Sequence, residues 1–415
     1  MEKFLVQGSG PLNGEIRIGG AKNSALKLMA ASLLAEGSTS LNNVPEITDV
    51  AIMMELLEAM GVRVQRVGQR IEIDVPDEIE PVAPYSLVER MRASIVVLGP
   101  LLSRIGRAKV ALPGGDDFGS RPIDMHLQGL EQLGAEFSYE HGDINGRADQ
   151  LVGAEVFLEF PSVGATENLL MAAVLADGTT VIENAAREPE ISDLANFLSK
   201  MGAVIEGIGT SRLTIEGVSA LHPVSYEVIP DRIEAATYLA ALGVCGGELR
   251  LIGARSDHME MLLRKLEEMG MEWSEDEDGL TARVLERLQS VDVSTLPYPG
   301  LATDYKPFLV AALCVSQGAG MVTENIFAGR FRYIDELVRM GAEIRAEGRH
   351  AVVRGVKRLS GAPVRAHDIR AGAALVVAGL AADGETVISD AHHVDRGYED
   401  LAGKLSSVGA QVTRI

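Results

Sequence analysis

Apolar positions recur along the chain at helical spacing in one phrase: an amphipathic helix, a glycine, then a short strand. It reads LLEAMGVRV around Gly61, LEQLGAEF around Gly134, LSKMGAVI around Gly202, LEEMGMEW around Gly270, LVRMGAEI around Gly341 and LSSVGAQV around Gly409. The intervals are 73, 68, 68, 71 and 68 residues, too even to be chance. Ahead of each copy lies a second helical stretch, at 24–31, 94–102, 167–173, 234–245, 308–315 and 371–382. Several of these are apolar nearly all the way round, as in a helix buried on every side. Between the two helices the pattern predicts a strand: TSLNNV, KVALPG, TTVIENA, ELRLIGA, MVTENIF and ETVISDA. The reading is an α/β (α+β) chain of six units of about 70 residues. Three units per domain would wrap sheets around central helices.

The 47% hydrophobic content suits a sizeable core and excludes disorder as the main state. Charge narrows the partners: 38 basic against 59 acidic residues gives −21. That opposes a nucleic-acid backbone, and with it a six-repeat DNA clamp. Aromatics, at 4%, leave few platforms for stacking bases. The longest small-apolar run, 371–382, is shorter than the roughly 18 residues of a membrane span. Phe4-Leu5-Val6 is too short an apolar core for a signal peptide. Cys245 and Cys314 have neither metal nor redox spacing. A soluble, cytoplasmic protein is expected.

Candidate chemistry gathers where the buried helices begin. Lys22-Asn23-Ser24, Arg92-Ala93-Ser94, Ser162 to Thr166, Asp231 to Glu234, Thr303-Asp304 and Asp368-Ile369-Arg370 stand there. Plain N-capping accounts for any one Asp, Ser or Thr. The cations Lys22, Arg92, Arg232 and Arg370 oppose the helix dipole and argue instead for a bound anion. A cleft between two sets of helix starts would then suit a polyanionic small substrate. The run from Pro113 to Asp124 is glycine-rich, without a Walker or dinucleotide pattern. It reads either as an ordinary turn or as a lid carrying an acid and Arg121. His392 and His393, adjacent on an expected strand, would face opposite sides. Arg396 reads as a surface arginine unless the cleft exists.

The stretches GGAKNSALKLMAASLLAEG, RMRASIVVLGPLL, LPGGDDFGSRPIDMHLQGLEQLGAE, SVGATENLLMAAVLADGTTVIENAAREPEI, PDRIEAATYLA, YPGLATD, TENIFAGRF and HDIRAGAALV…HHVDRGYE together resemble the enolpyruvyl transferases that act on UDP-N-acetylglucosamine. The resemblance runs end to end. It implies two inside-out α/β barrel-like domains, each of three βαβαββ units with buried central helices. The first would span 20–230, with a lid loop at 112–121; the second, discontinuous, would join 1–19 to 231–415. It implies transfer of the enolpyruvyl group of phosphoenolpyruvate to the sugar 3-hydroxyl with release of phosphate. That is the first committed step of peptidoglycan synthesis, hence of cell wall biogenesis, cell shape and division.

Residue by residue, the resemblance matches Lys22 and Asn23 to phosphoenolpyruvate contacts, and Arg121 and Arg396 to further phosphate contacts. Arg92 and the run Arg121, Pro122, Ile123, Asp124 and Met125 match sugar-nucleotide contacts. Ser162, Val163 and Gly164 match a uridine loop, and Ile326 another nucleotide contact. Asp368 and Arg370 match interface active-site residues. Asp304 matches the base, and Asp116 the lid acid, where many members carry Cys. Phe160 stands where some members have a nucleotide-contacting Lys. An acid at 116 in place of a thiol implies insensitivity to fosfomycin, an epoxide phosphonate. The partners implied are phosphoenolpyruvate and UDP-N-acetylglucosamine, with no metal or organic cofactor, no nucleic acid and no membrane. A shikimate-pathway enolpyruvyl transferase and a non-catalytic UDP-sugar-binding paralogue are the alternatives. Oligomeric state is not legible in the sequence.

Overall fold

The repeated glycines have a backbone reason. Each takes a positive φ: Gly61 89°, Gly134 97°, Gly202 111°, Gly270 107°, Gly341 85° and Gly409 101°. A residue without Cβ reaches that region at no steric cost and so ends a helix sharply. In a computed structural model, which describes residues 2–112, 123–327 and 329–415, they close the helices Thr48–Ala59, Asp124–Gln132, Pro189–Lys200, Glu260–Met269, Ile334–Arg339 and Leu401–Ser407.

The apolar helices are Lys22–Ala31, Leu98–Ile105, Val163–Ala173, Arg232–Cys245, Lys306–Leu313 and Ile369–Leu380. Every residue of the last two is buried. Several boundaries differ from the sequence reading. The stretch 94–102 is not one helix: Arg92–Val97 is a 3-10 segment and the α-helix starts at Leu98. Pro100 has no N–H to give Val96, so it fits only in an α-helix's first turn. The fifth helix begins early, at Lys306, with Pro307 tolerated in its first turn. The sixth stops at Leu380 because Ala382–Asp383 pairs in parallel with Leu359–Ser360. The MVTENIF strand ends at Thr323, leaving Glu324 outside it. His392 and His393 lie on a short helix, His392–Asp395, with ring centroids 4.3 Å apart, rather than on a strand.

Among the described residues, six four-stranded sheets repeat one order: a parallel pair, then two antiparallel neighbours. The chain divides into two compact units, each with its own apolar core. One comprises residues 20–112 and 123–229. Its first sheet is closed by a late strand, Ser225–Glu227, lying parallel to Gly37–Asn42 with Tyr226 opposite Leu41. Along Arg70–Val75 the alternate residues Ile71, Ile73 and Val75 are buried, the period of a half-buried strand.

The other unit comprises residues 2–19 and 230–415. Here the earliest strands complete sheets made of much later ones. Leu12–Arg17 lies parallel to Gly247–Ile252, with Gly14 opposite Leu249. Phe4–Gln7 sits between Glu385–Ser389 and Gln411–Arg414, so that Val6 faces both Thr386 and Val412. The helices Arg232–Cys245, Lys306–Leu313 and Ile369–Leu380 pack on one another inside this unit. Among the described residues no helix is long and apolar enough to cross a membrane.

Candidate active site

In the second unit, three buried helix starts meet. Asp231 and Asp368 are true caps: Asp231 accepts from the N–H groups of Ile233 and Glu234 at 2.8 and 3.0 Å. Asp368 accepts from Arg370 and Ala371, both at 2.8 Å. The bland capping reading therefore holds at these starts, as it does at Ser162, which accepts from Ala165. Because a carboxylate already answers the helix dipole, Arg232 and Arg370 sit one and two residues past their caps without opposing it alone.

Asp304, just ahead of the third helix, receives the arginines. Arg330 Nη1 lies 2.6 Å from its Oδ1, and Arg370 Nε lies 3.4 Å from its Oδ2. Arg330 and Arg370 are almost wholly buried, each 4% exposed. Burial works against the Asp304 charge, but Arg330, Arg370 and Arg232 outweigh it and hold the carboxyl well below the usual range. Arg232 Nη1 donates to the Tyr305 hydroxyl at 3.0 Å. The Arg370 guanidinium lies over the Tyr398 ring at 5.6 Å. Beneath them Lys306 and Glu324 form an ion pair at 2.9 Å with no exposure. Burial lowers the Lys306 amine to about 8 against the pull of Glu324. Ile326 gives its N–H to Glu324 at 2.8 Å. The structure thus brings Asp304, Asp368, Arg370 and Ile326 into one neighbourhood. Arg396 lies in the same unit, directly after the His392–Asp395 helix.

In the first unit a second neighbourhood forms around His126. Its Nδ1 accepts from Asn168 Nδ2 at 2.8 Å. Burial first, then Arg92, pushes the imidazole down to about 4, while Asp124 pulls the other way. It is neutral at pH 7. The ring lies against Gly164, where an added Cβ would come 2.8 Å from the ring carbon Cε1. Arg92, Asp124 and Gly164 thus share one spot. Ile123 and Met125 pack partly buried at the start of the same helix, Asp124–Gln132, and Val163 opens the helix packed beside it. In the same unit Lys22, whose helix packs on the Arg92–Val97 segment, is paired with buried Asp49 at 2.7 Å. Asn23 follows it, its carbonyl accepting from Lys27 at 3.1 Å. Asp116, Arg121 and Pro122, with most of the 112–121 lid, lie outside the described residues.

Two kinds of likeness bear on this geometry. The family model described as EPSP synthase (3-phosphoshikimate 1-carboxyvinyltransferase) matches residues 6–405. A UDP-N-acetylglucosamine 1-carboxyvinyltransferase of Gluconobacter oxydans is 53% identical, with all of both chains covered. One from Mycobacterium tuberculosis is 49% identical, over 100% of this chain and 99% of its own. The chain belongs to the UDP-N-acetylglucosamine 1-carboxyvinyltransferase family. Among solved structures, the enolpyruvyl transferase NikO from Streptomyces tendae is similar with a TM-score of 0.90 at 25% identity, over 100% of this chain and 98% of that one.

In this member of the carboxyvinyltransferase family, Glu324, Lys306, Arg330 and His126 escaped the sequence reading. One signal was available: Lys306 is a cation opening an otherwise apolar helix, so it needs a buried counter-charge. Nothing local to Glu324 or His126 marks them.

Proposed function

We propose that the chain transfers the enolpyruvyl group of phosphoenolpyruvate to the 3-hydroxyl of UDP-N-acetylglucosamine and releases phosphate. This is the first committed step of peptidoglycan synthesis, carried out in the cytoplasm. What carries the reading is full-length identity of 53% and 49% to enzymes of that name. Asp304, set between Arg330 and Arg370, supplies matching chemistry. The same reading takes each unit as an inside-out α/β barrel of three βαβαββ units, the domains being 20–230 and 1–19 with 231–415. Six sheets of like order and the buried helices support it.

The reaction adds the sugar hydroxyl to C2 of phosphoenolpyruvate while the methylene carbon takes a proton, giving a tetrahedral phosphate-bearing ketal. Loss of a proton and of phosphate then yields the enolpyruvyl ether. A base, an acid and cations for carboxylate and phosphate are required. We assign Asp304 as base and Asp116 as acid. Lys22, Asn23, Arg121, Arg370 and Arg396 hold phosphoenolpyruvate, with Asp368 fixing the helix start beside Arg370. Arg92, Arg121 to Met125, Ser162 to Gly164, Asp304 and Ile326 hold the sugar nucleotide. As it stands, Asp304 is too strong an acid to be a good base. An arriving phosphoenolpyruvate competes for Arg370, weakens its hold and raises the carboxylate's basicity, while Arg330 keeps the carboxylate in place.

The test is phosphate release from phosphoenolpyruvate with UDP-N-acetylglucosamine or shikimate 3-phosphate as acceptor. Release with the sugar nucleotide alone is expected. The family model's description gives the second acceptor its place in the test. Release only with shikimate 3-phosphate would transfer the chain to that activity, and release with neither would leave a binding protein.

A further inference from the structure

Glu324 leaves its strand directly after Thr323 and buries a carboxylate that collects five donors. Oε1 accepts from Thr295 Oγ1 at 2.8 Å and from the N–H groups of Ile326 and Phe327 at 2.8 and 3.1 Å. Oε2 accepts from Thr303 Oγ1 at 2.8 Å and from Lys306 Nζ at 2.9 Å. The Thr303 hydroxyl has a single proton, and Glu324 takes it. Its lone pairs are therefore turned outward, where Arg330 Nη1 donates to it at 3.1 Å. That same Nη1 is the nitrogen 2.6 Å from Asp304 Oδ1. A guanidinium NH₂ has two hydrogens in a fixed plane, so seating one on Thr303 aims the other. The Arg330 carbonyl is held from behind by Lys306 Nζ.

We propose that Glu324, acting through the Thr303 hydroxyl, is a positioning residue that aims Arg330 at Asp304. The inference rests on Asp304 being the base, and it adds a part of the machinery that touches no substrate. Lys306 serves the same end by keeping Glu324 ionised: burial opposes that charge, yet Lys306 and the backbone donors hold the carboxyl below its ordinary value. A neutral Glu324 would carry a proton on one oxygen and accept more weakly from the Thr303 hydroxyl.

Two isosteric substitutions separate positioning from mere anchoring. Thr303→Val and Thr295→Val each remove one hydroxyl from Glu324, but only Thr303 touches Arg330. Both variants should melt lower than wild type. Thr303→Val should lose roughly tenfold to a hundredfold in kcat, as displaced catalytic groups do, with KM for UDP-N-acetylglucosamine little changed. Thr303→Ser, which keeps the hydroxyl, should restore kcat to within about threefold, and Thr295→Val should stay near wild type. Equal losses in the two valine variants, or none in Thr303→Val, would overturn the proposal. A crystal structure of Thr303→Val reads the point without turnover. Arg330 swung away from Asp304 supports the inference, and Arg330 unmoved sinks it. An inactive wild-type enzyme would instead count against the assigned reaction.

Discussion

Asp304 faces two demands that pull in opposite directions. Its arginine neighbours keep it ionised, which protects the buried guanidiniums, while base catalysis needs it to accept a proton. Asp304→Asn keeps the shape and removes the proton acceptor, so kcat should fall by about 10²-fold or more in a phosphate-release assay. The same substitution has a signature in stability. The folded carboxyl lies below its unfolded value, so its contribution is present at neutral pH and is lost as pH falls through about 4 and below. Thermal melts of Asp304→Asn should therefore show a shallower acid-side decline than wild type. A parallel decline would mean that other carboxylates set acid stability. Position 116 makes a second prediction. Cys245 and Cys314 are pushed by burial up to about 12, so neither offers a thiolate at neutral pH. With Asp at 116, fosfomycin should leave no covalent adduct in intact-protein mass spectra taken with UDP-N-acetylglucosamine present. Asp116→Cys should gain one, and Asp116→Asn should lose most turnover, with Asp117→Asn as the control for a neighbouring acid. An adduct on the unmodified chain would defeat this reading.

Elements are held by rules that differ in reach. At Gly270, φ is 107° and nothing lies within 4 Å of an added Cβ. Gly270→Ala should thus cost about 1–2 kcal/mol in urea unfolding through the backbone alone, with activity intact. A neutral result would show that the turn relaxes freely. This same local rule is why the helix–glycine–strand phrase was readable: the glycine, the apolar face and the strand all lie within a few residues. Reading failed where the deciding partner is remote. Nothing in MVTENIF says that Glu324 turns inward, because Thr295, its partner, is 29 residues away. His126 is fixed by Asn168, 42 residues on. Asp304, Asp368 and Arg370 were legible because charge at the start of a buried helix is out of place in sequence as well as in space. Ile326 and Met125 came only by resemblance, since an apolar side chain in an apolar stretch carries no chemical mark.

For the whole molecule, the −21 charge gives ion-exchange and solubility behaviour, and it leaves the buried arginines as local exceptions rather than a basic face. The closing of the second unit by residues 2–19 has a sharper consequence. Removing those residues strips the first strand from one sheet and an interior strand from another. A chain starting at residue 20 should therefore fail to show the cooperative melt of the unit 230–415, while 20–229 retains its own core. A truncated chain with an intact second melt would show the early strands to be dispensable. In the cell the same arrangement sets a clock. Phe4 leaves the ribosome long before its neighbours Ile388 and Arg414 are made. At roughly 5–20 residues per second the wait is on the order of half a minute. During that interval the unit 20–229 can complete its own sheets; Leu12–Arg17 waits for Gly247–Ile252, and Phe4–Gln7 stays an open strand for longest. Nascent-chain chaperones should therefore engage Phe4–Gln7 until those later strands emerge, which makes it the place where a slow ribosome would most readily turn folding into aggregation.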